Sequence, residues 1–170
     1  MELSVYDLAR MMDLSAVRTD VDVAEIQHLA AQAKRFHTIC AFVMPCYASE
    51  MRRLLADIPD VGVGSVVGFP SGATATTVKA AEARDLVNCG VDEIDMVINV
   101  GWLKSGRHDS VREDIGAVVA AAQSRPVKTI LECHYLSADE MRIGAELAVE
   151  AGAAFVKTGT GWAPTGATLE

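Results

Sequence analysis

The sequence predicts an α/β fold built on a parallel sheet, and three observations predict it. Short apolar, β-branched runs such as Val61–Val67 and Val127–Cys133 take turns with longer segments rich in Ala, Glu and Arg, whose apolar residues recur at helical spacing. The steps between them are short and even, which requires right-handed crossovers between parallel strands. With 170 residues, 51% of them hydrophobic, and a mean hydropathy of +0.23, the chain can bury a sizeable core, most simply as one domain over residues 1–170. A (β/α) barrel and a doubly wound open sheet both satisfy this pattern. No G-x-G-x-x-G follows the first strand, which weighs against the dinucleotide-binding open sheet.

Each element has its own signal. Ala9–Leu14 reads as a weak first strand, and Val23–Arg35 as a helix with Val23, Ile26, Leu29 and Ala30 on one face and Asp22 as its N-cap. Thr38–Met44 is a second strand, Pro45–Ala56 a helix with Met51, Leu54 and Leu55 turned inward, and Val61–Val67 a third strand that closes in Gly68-Phe-Pro-Ser-Gly72. Thr76–Cys89 is helical up to the C-cap glycine Gly90. Asp92–Val100 is the fourth strand, Ser110–Gln123 a helix, and Val127–Cys133 the fifth strand after Pro126. Ser137 and Glu140 form a capping box for a helix over Ala138–Glu150, Gly152 ends it, and Ala153–Lys157 is the sixth strand.

The net charge of −8, with no basic cluster longer than Arg52-Arg53, argues against nucleic acid and for a small metabolite. The N-terminus lacks the basic start and apolar core of a signal peptide, and no apolar run approaches the roughly 20 residues of a membrane span, so a cytoplasmic setting is expected. Cys40, Cys46, Cys89 and Cys133 form no C-x-x-C pair and read as buried free thiols. None of the four histidines has metal-helix spacing, so no metal site is expected.

Three polar residues stand within or at the ends of apolar strands: Asp13, Asp95 and Lys157. Lys157 ends Ala153-Ala-Phe-Val-Lys157 and is followed by the small, flexible Thr158-Gly-Thr-Gly161. Strand ends that run into open loops are where α/β enzymes keep their sites. An apolar setting strips water from an ammonium and enriches the neutral, nucleophilic amine that imine chemistry needs. Asp95 interrupts Ile94-Asp-Met-Val-Ile98, and an aspartate inside a parallel strand must be paired. In a barrel it could share the interior with Lys157 near the C-terminal rim; a buried structural ion pair is the alternative. Asp13 alone could equally be a cap or turn residue. Lys128 and Glu132 share strand parity and could enter a site, but a structural pair is the simpler reading. Trp102 and Trp162 follow strand ends, where aromatic packing is the plainer role.

These blocks, taken in order, resemble the deoxyribose-phosphate aldolases, class I Schiff-base aldolases on a TIM (β/α) barrel. Met12-Asp13-Leu14-Ser15 is similar to that family's first-strand motif, and Val66-Val-Gly-Phe-Pro-Ser-Gly72 to its third. Lys79 and Glu82, then Gly90-Val-Asp-Glu-Ile-Asp95-Met-Val-Ile-Asn99, resemble its central block, and Phe155-Val-Lys157-Thr-Gly-Thr-Gly161 with Gly166-Ala-Thr168 its lysine motif. The resemblance implies that Lys157 forms an imine with acetaldehyde, that Asp95 and Asp13 belong to the proton relay, and that Thr158 and Gly161 lie in the substrate loop. It implies no metal or cofactor and a phosphorylated sugar or aldehyde as substrate; the exposed apolar edge that six strands would leave predicts a homo-oligomer. Gly159 stands where the family usually carries serine, and His134 and Tyr135 are not typical of the fifth-strand loop. The likeness covers six of eight βα units, without the second lysine and the phosphate loops that relatives carry further on. An aldolase for another aldehyde, or a non-catalytic assembly domain, remains compatible with the residues.

Overall fold

A computed structural model describes residues 3–168, which form two compact units. The first holds the chain up to Val66 together with Leu86–Glu93; the second holds Val67–Asp85 and everything from Ile94 onward. Six strands and seven α-helices alternate among the described residues.

The first unit begins with α1 (Val5–Ala9), where Ser4 and Asp7 cap each other reciprocally. This helix and the strand after it differ from the sequence reading: β1 is Asp13–Ala16 and begins where the predicted strand was ending. The apolar run Leu8–Leu14 is thus shared between a helix end and a strand start, and periodicity cannot split so short a run. β1 pairs in parallel with β2 (Cys40–Val43), with Asp13 opposite Cys40, and β2 pairs with β3 (Gly62–Val67). Between β1 and β2 lies α2 (Val23–Phe36), capped by the Asp22 carboxylate on the Glu25 N–H, with Ile26, Leu29, Ala30 and Ala33 buried. The predicted helix over Pro45–Ala56 starts as a single 3₁₀ turn at Pro45–Tyr47 and becomes α3 (Ala48–Leu54). Phe42 is 1% exposed, and its ring occupies the space where any side chain at Gly64 would lie. Asp92 accepts the Val63 N–H and the Arg52 guanidinium, which ties the entry to the fourth strand onto the third.

In the second unit, β4 (Glu93–Val97) pairs in parallel with β5 (Val127–Ile130), and β5 with β6 (Phe155–Lys157). β4 and β5 are shorter than predicted at their C-terminal ends, whereas β6 ends at Lys157 as predicted and starts two residues later. Asn99 caps a short helix, α5 (Val100–Lys104), through the Trp102 N–H, and Cys133–Tyr135 forms a 3₁₀ turn. Apolar side chains there continue the run in sequence while the backbone has already turned. Helices α4 (Thr76–Asn88), α6 (His108–Ala121) and α7 (Ala138–Glu150) complete the βα steps. The Ser137–Glu140 capping box is present as predicted. Ile94, Met96, Ile98, Ile115, Val118 and Leu147 form the core of this unit. All four cysteines are free, but only Cys40 is buried and Cys46 is exposed, because the latter sits in the 3₁₀ turn and not in a strand. Among the described residues no helix is long and apolar enough to cross a membrane.

Candidate active site

The chain brings two side chains, Asp95 and Lys157, together at the end of β6. Register places Asp95 opposite Lys128 and Lys157 opposite Ile130, so Asp95 and Lys157 come from strands one apart and project from the same face. Asp95 is 1% exposed, and its Oδ2 accepts a hydrogen bond from the Lys157 Nζ across 62 residues of sequence. Lys157 keeps 36% of its side chain accessible, so the amine has a buried acid on one side and open space on the other. That arrangement can pass a proton from ammonium to carboxylate and leave a nucleophile facing the space.

The loop after Lys157 is held by the loop after β5. The Lys157 carbonyl accepts the Leu131 N–H at 2.9 Å and the Thr158 carbonyl accepts the Cys133 N–H at 2.8 Å. Glu132, 6% exposed and at φ +57°, accepts the Thr160 N–H and the Thr160 hydroxyl. The parity argument for Glu132 therefore fails: β5 has ended two residues earlier, and the carboxylate belongs to the loop clamp. Gly161 adopts φ +82°, a left-handed conformation that glycine enters without penalty.

Two cavities flank this loop. One, of about 390 Å³, is lined by Pro70, Ser71, Val97, Glu132, Thr160 and Trp162 among others. The second, of about 380 Å³, includes Glu132, Cys133, His134, Thr158, Gly159 and Gly161. Thr158 and Gly161 line the second cavity. Both cavities are lined by residues at or after the C-terminal ends of strands, the position that α/β barrels use for chemistry. Trp162, expected to pack, does both: it meets Phe69 edge-on with centroids 5.9 Å apart and forms a cavity wall. Trp102 stands instead beneath the Arg107 guanidinium, 5.0 Å from it. Burial pushes the Cys133 thiol above its ordinary value.

Behind Val97, whose carbonyl it holds, Lys79 of α4 is wholly buried. Its Nζ donates to the Asp114 carboxylate at 2.6 Å and to the Val97 carbonyl at 3.0 Å, and burial pulls its ammonium below the ordinary lysine range against the pull of Asp114. The Glu82 carboxylate accepts the Gly68 N–H at 2.8 Å. A lysine and a glutamate three residues apart on a helix look like a solvated face in sequence, so the burial of Lys79 was not legible there.

Asp13 lies in the first unit, at the start of β1. Its carboxylate, the Cys40 thiol and the Glu93 carboxylate offer ligand atoms all within 4.8 Å of one another, a donor set that could hold a cation.

Comparison with known proteins identifies the lineage. The family model described as DeoC/LacD family aldolase matches residues 6–170. The chain belongs to that family. The DeoC/LacD relatives include a deoxyribose-phosphate aldolase of Klebsiella pneumoniae, 44% identical over 172 residues, an alignment that covers 100% of this chain and 69% of the relative. A solved structure from Coccidioides immitis, taken to be a deoxyribose-phosphate aldolase, superposes with a TM-score of 0.94 at 36% identity, covering 98% of this chain and 65% of that one. The deoxyribose phosphate aldolase of Aeropyrum pernix, described as a tetramer, superposes with a TM-score of 0.85 at 28% identity, covering 94% of this chain and 67% of that one. The chain therefore spans about two thirds of the length of the DeoC/LacD structures it matches, six βα steps of a TIM-barrel-type fold.

Proposed function

We propose that the chain carries the imine-forming part of a deoxyribose-phosphate aldolase, cleaving 2-deoxy-D-ribose 5-phosphate reversibly to D-glyceraldehyde 3-phosphate and acetaldehyde. The hydrogen bond between Lys157 and the buried Asp95 carries the reading, and family membership supports it. The neutral Lys157 amine adds to the C1 carbonyl, and loss of water gives the iminium. Removal of the C3 hydroxyl proton breaks the C2–C3 bond, releasing D-glyceraldehyde 3-phosphate and leaving an enamine. Protonation of the enamine carbon and hydrolysis return acetaldehyde and the amine. Asp95 and Asp13 are assigned the proton transfers, and Thr158 and Gly161 the substrate loop.

A homo-oligomer in the cytosol is part of this reading, and the tetrameric Aeropyrum pernix relative supports the oligomer. The aromatic walls of Tyr135 and Trp162 favour a second reading, in which a different aldehyde is accepted. Borohydride reduction with acetaldehyde or deoxyribose 5-phosphate should add mass at Lys157. The absence of that adduct, or its survival in Lys157→Ala, would sink the proposal, and a panel of aldehydes separates the two substrates.

A further inference from the structure

Glu132 takes no part in the chemistry assigned to Lys157 and Asp95, yet it is the buried acid that lines both cavities. Its backbone sits at φ +57°, a conformation side-chain-bearing residues rarely adopt and one that persists only where the surroundings over-determine it. Its carboxylate is the acceptor for both donors of Thr160, the third residue after Lys157, and an ionised acceptor makes such bonds stronger than a neutral one. The Thr160 hydroxyl oxygen in turn accepts the backbone N–H of Trp162 at 3.0 Å, and Trp162, which lines the first cavity, meets the Phe69 ring edge-on. One carboxylate therefore orders a relay from the lysine loop to the cavity wall.

The close approach depends on residue 159. A Cβ on Gly159 would stand 2.8 Å from the Glu132 Oε1, closer than real Cβ contacts come. Gly159 is not at positive φ, so the glycine is needed here for space and not for a left-handed backbone. We infer that Glu132 is a positioning residue for the aldolase reaction: its carboxylate holds the 157–161 loop in the shape that lines the cavities, and Gly159 is the residue that admits it. With its oxygens engaged by Thr160, Glu132 acts through the loop and not on the substrate. This inference rests on the aldolase reading.

The test combines kinetics with amide exchange on the full chain. Glu132→Gln keeps the shape but replaces one acceptor oxygen with a donor. It should raise KM for deoxyribose 5-phosphate at least about fivefold while kcat stays within about twofold, and leave the borohydride adduct at Lys157 intact at saturating substrate. Without substrate, exchange of the Thr160 and Trp162 N–H groups should quicken about tenfold, with core amides unchanged. Gly159→Ala should act in the same direction, and its effect should vanish in a Glu132→Ala background, where the clash has no partner. Unchanged KM and exchange in Glu132→Gln, or a Gly159→Ala effect of equal size in both backgrounds, overturns the inference. Failure of the wild type to form an adduct overturns the aldolase reading instead; the substrate-free exchange rates still decide whether Glu132 holds the loop.

Discussion

Lys79 and Asp114 form an ion pair from which solvent is wholly excluded, with Nζ and Oδ2 2.6 Å apart and neither side chain exposed. The ammonium also holds the carbonyl of Val97, two residues beyond Asp95, and Thr76 gives Asp114 a second hydrogen bond at 2.7 Å. Removing one partner of such a pair leaves an uncompensated buried charge, which costs far more than the pair itself contributes. Lys79→Met should lower stability by about 3–5 kcal/mol in urea unfolding. Lys79→Met with Asp114→Leu should recover most of that loss; if the double variant is as unstable as the single one, the penalty does not come from the orphaned carboxylate.

Asp95 presents the opposite case, a buried acid whose partner is the proposed nucleophile. Asp95→Asn preserves the volume while removing the proton acceptor beside Lys157. Turnover of deoxyribose 5-phosphate should fall about 10²- to 10⁴-fold, the usual worth of a positioned general acid or base. Circular dichroism and melting should show the fold retained. Turnover within a few-fold of wild type would remove Asp95 from the relay.

Gly72 ends the loop after β3 at φ +67°, and a Cβ there would stand 1.8 Å from the carbonyl oxygen of Ile98. Both the left-handed backbone and the backbone contact forbid a side chain. Gly72→Ala should destabilise by at least ~2 kcal/mol, measured by thermal or urea unfolding. Gly106, at φ +70° with open space around it, is the control: Gly106→Ala suffers only the conformational part and should cost less.

The capping carboxylate of α7 predicts an acid-side response. The Ser137 N–H and hydroxyl, together with the Lys104 charge, hold Glu140 below the ordinary carboxylate value of 4.5. A depressed folded value means the unfolded chain binds more protons in this window, so the stabilisation is full above pH 4.5 and is lost as pH falls through the lower folded value. The melting temperature of Glu140→Gln should therefore fall less steeply than that of wild type below pH 4.5. Parallel slopes would show that Glu140 contributes no pH-dependent stability.

The sequence by itself determined the alternation of six strands with helices, the caps at Asp22 and Ser137, and Asp95 and Lys157 as the polar residues that an apolar strand must account for. Those features are local: periodicity, capping chemistry and the cost of burying a charge are all legible within a dozen residues. Strand ends were less legible, because the apolar runs after β4 and β5 continue through Ile98 and Leu131 while the backbone turns into α5 and a 3₁₀ helix. Only tertiary structure decided that Lys157 reaches Asp95, since register across β4, β5 and β6 sets which side chains share a face. It also decided that Lys79 is buried against Asp114, and that Glu132 clamps Thr160 beside a glycine that leaves it room. Each of these pairs residues far apart in the chain, and their meeting depends on how helices and loops pack on the sheet, which no local pattern records.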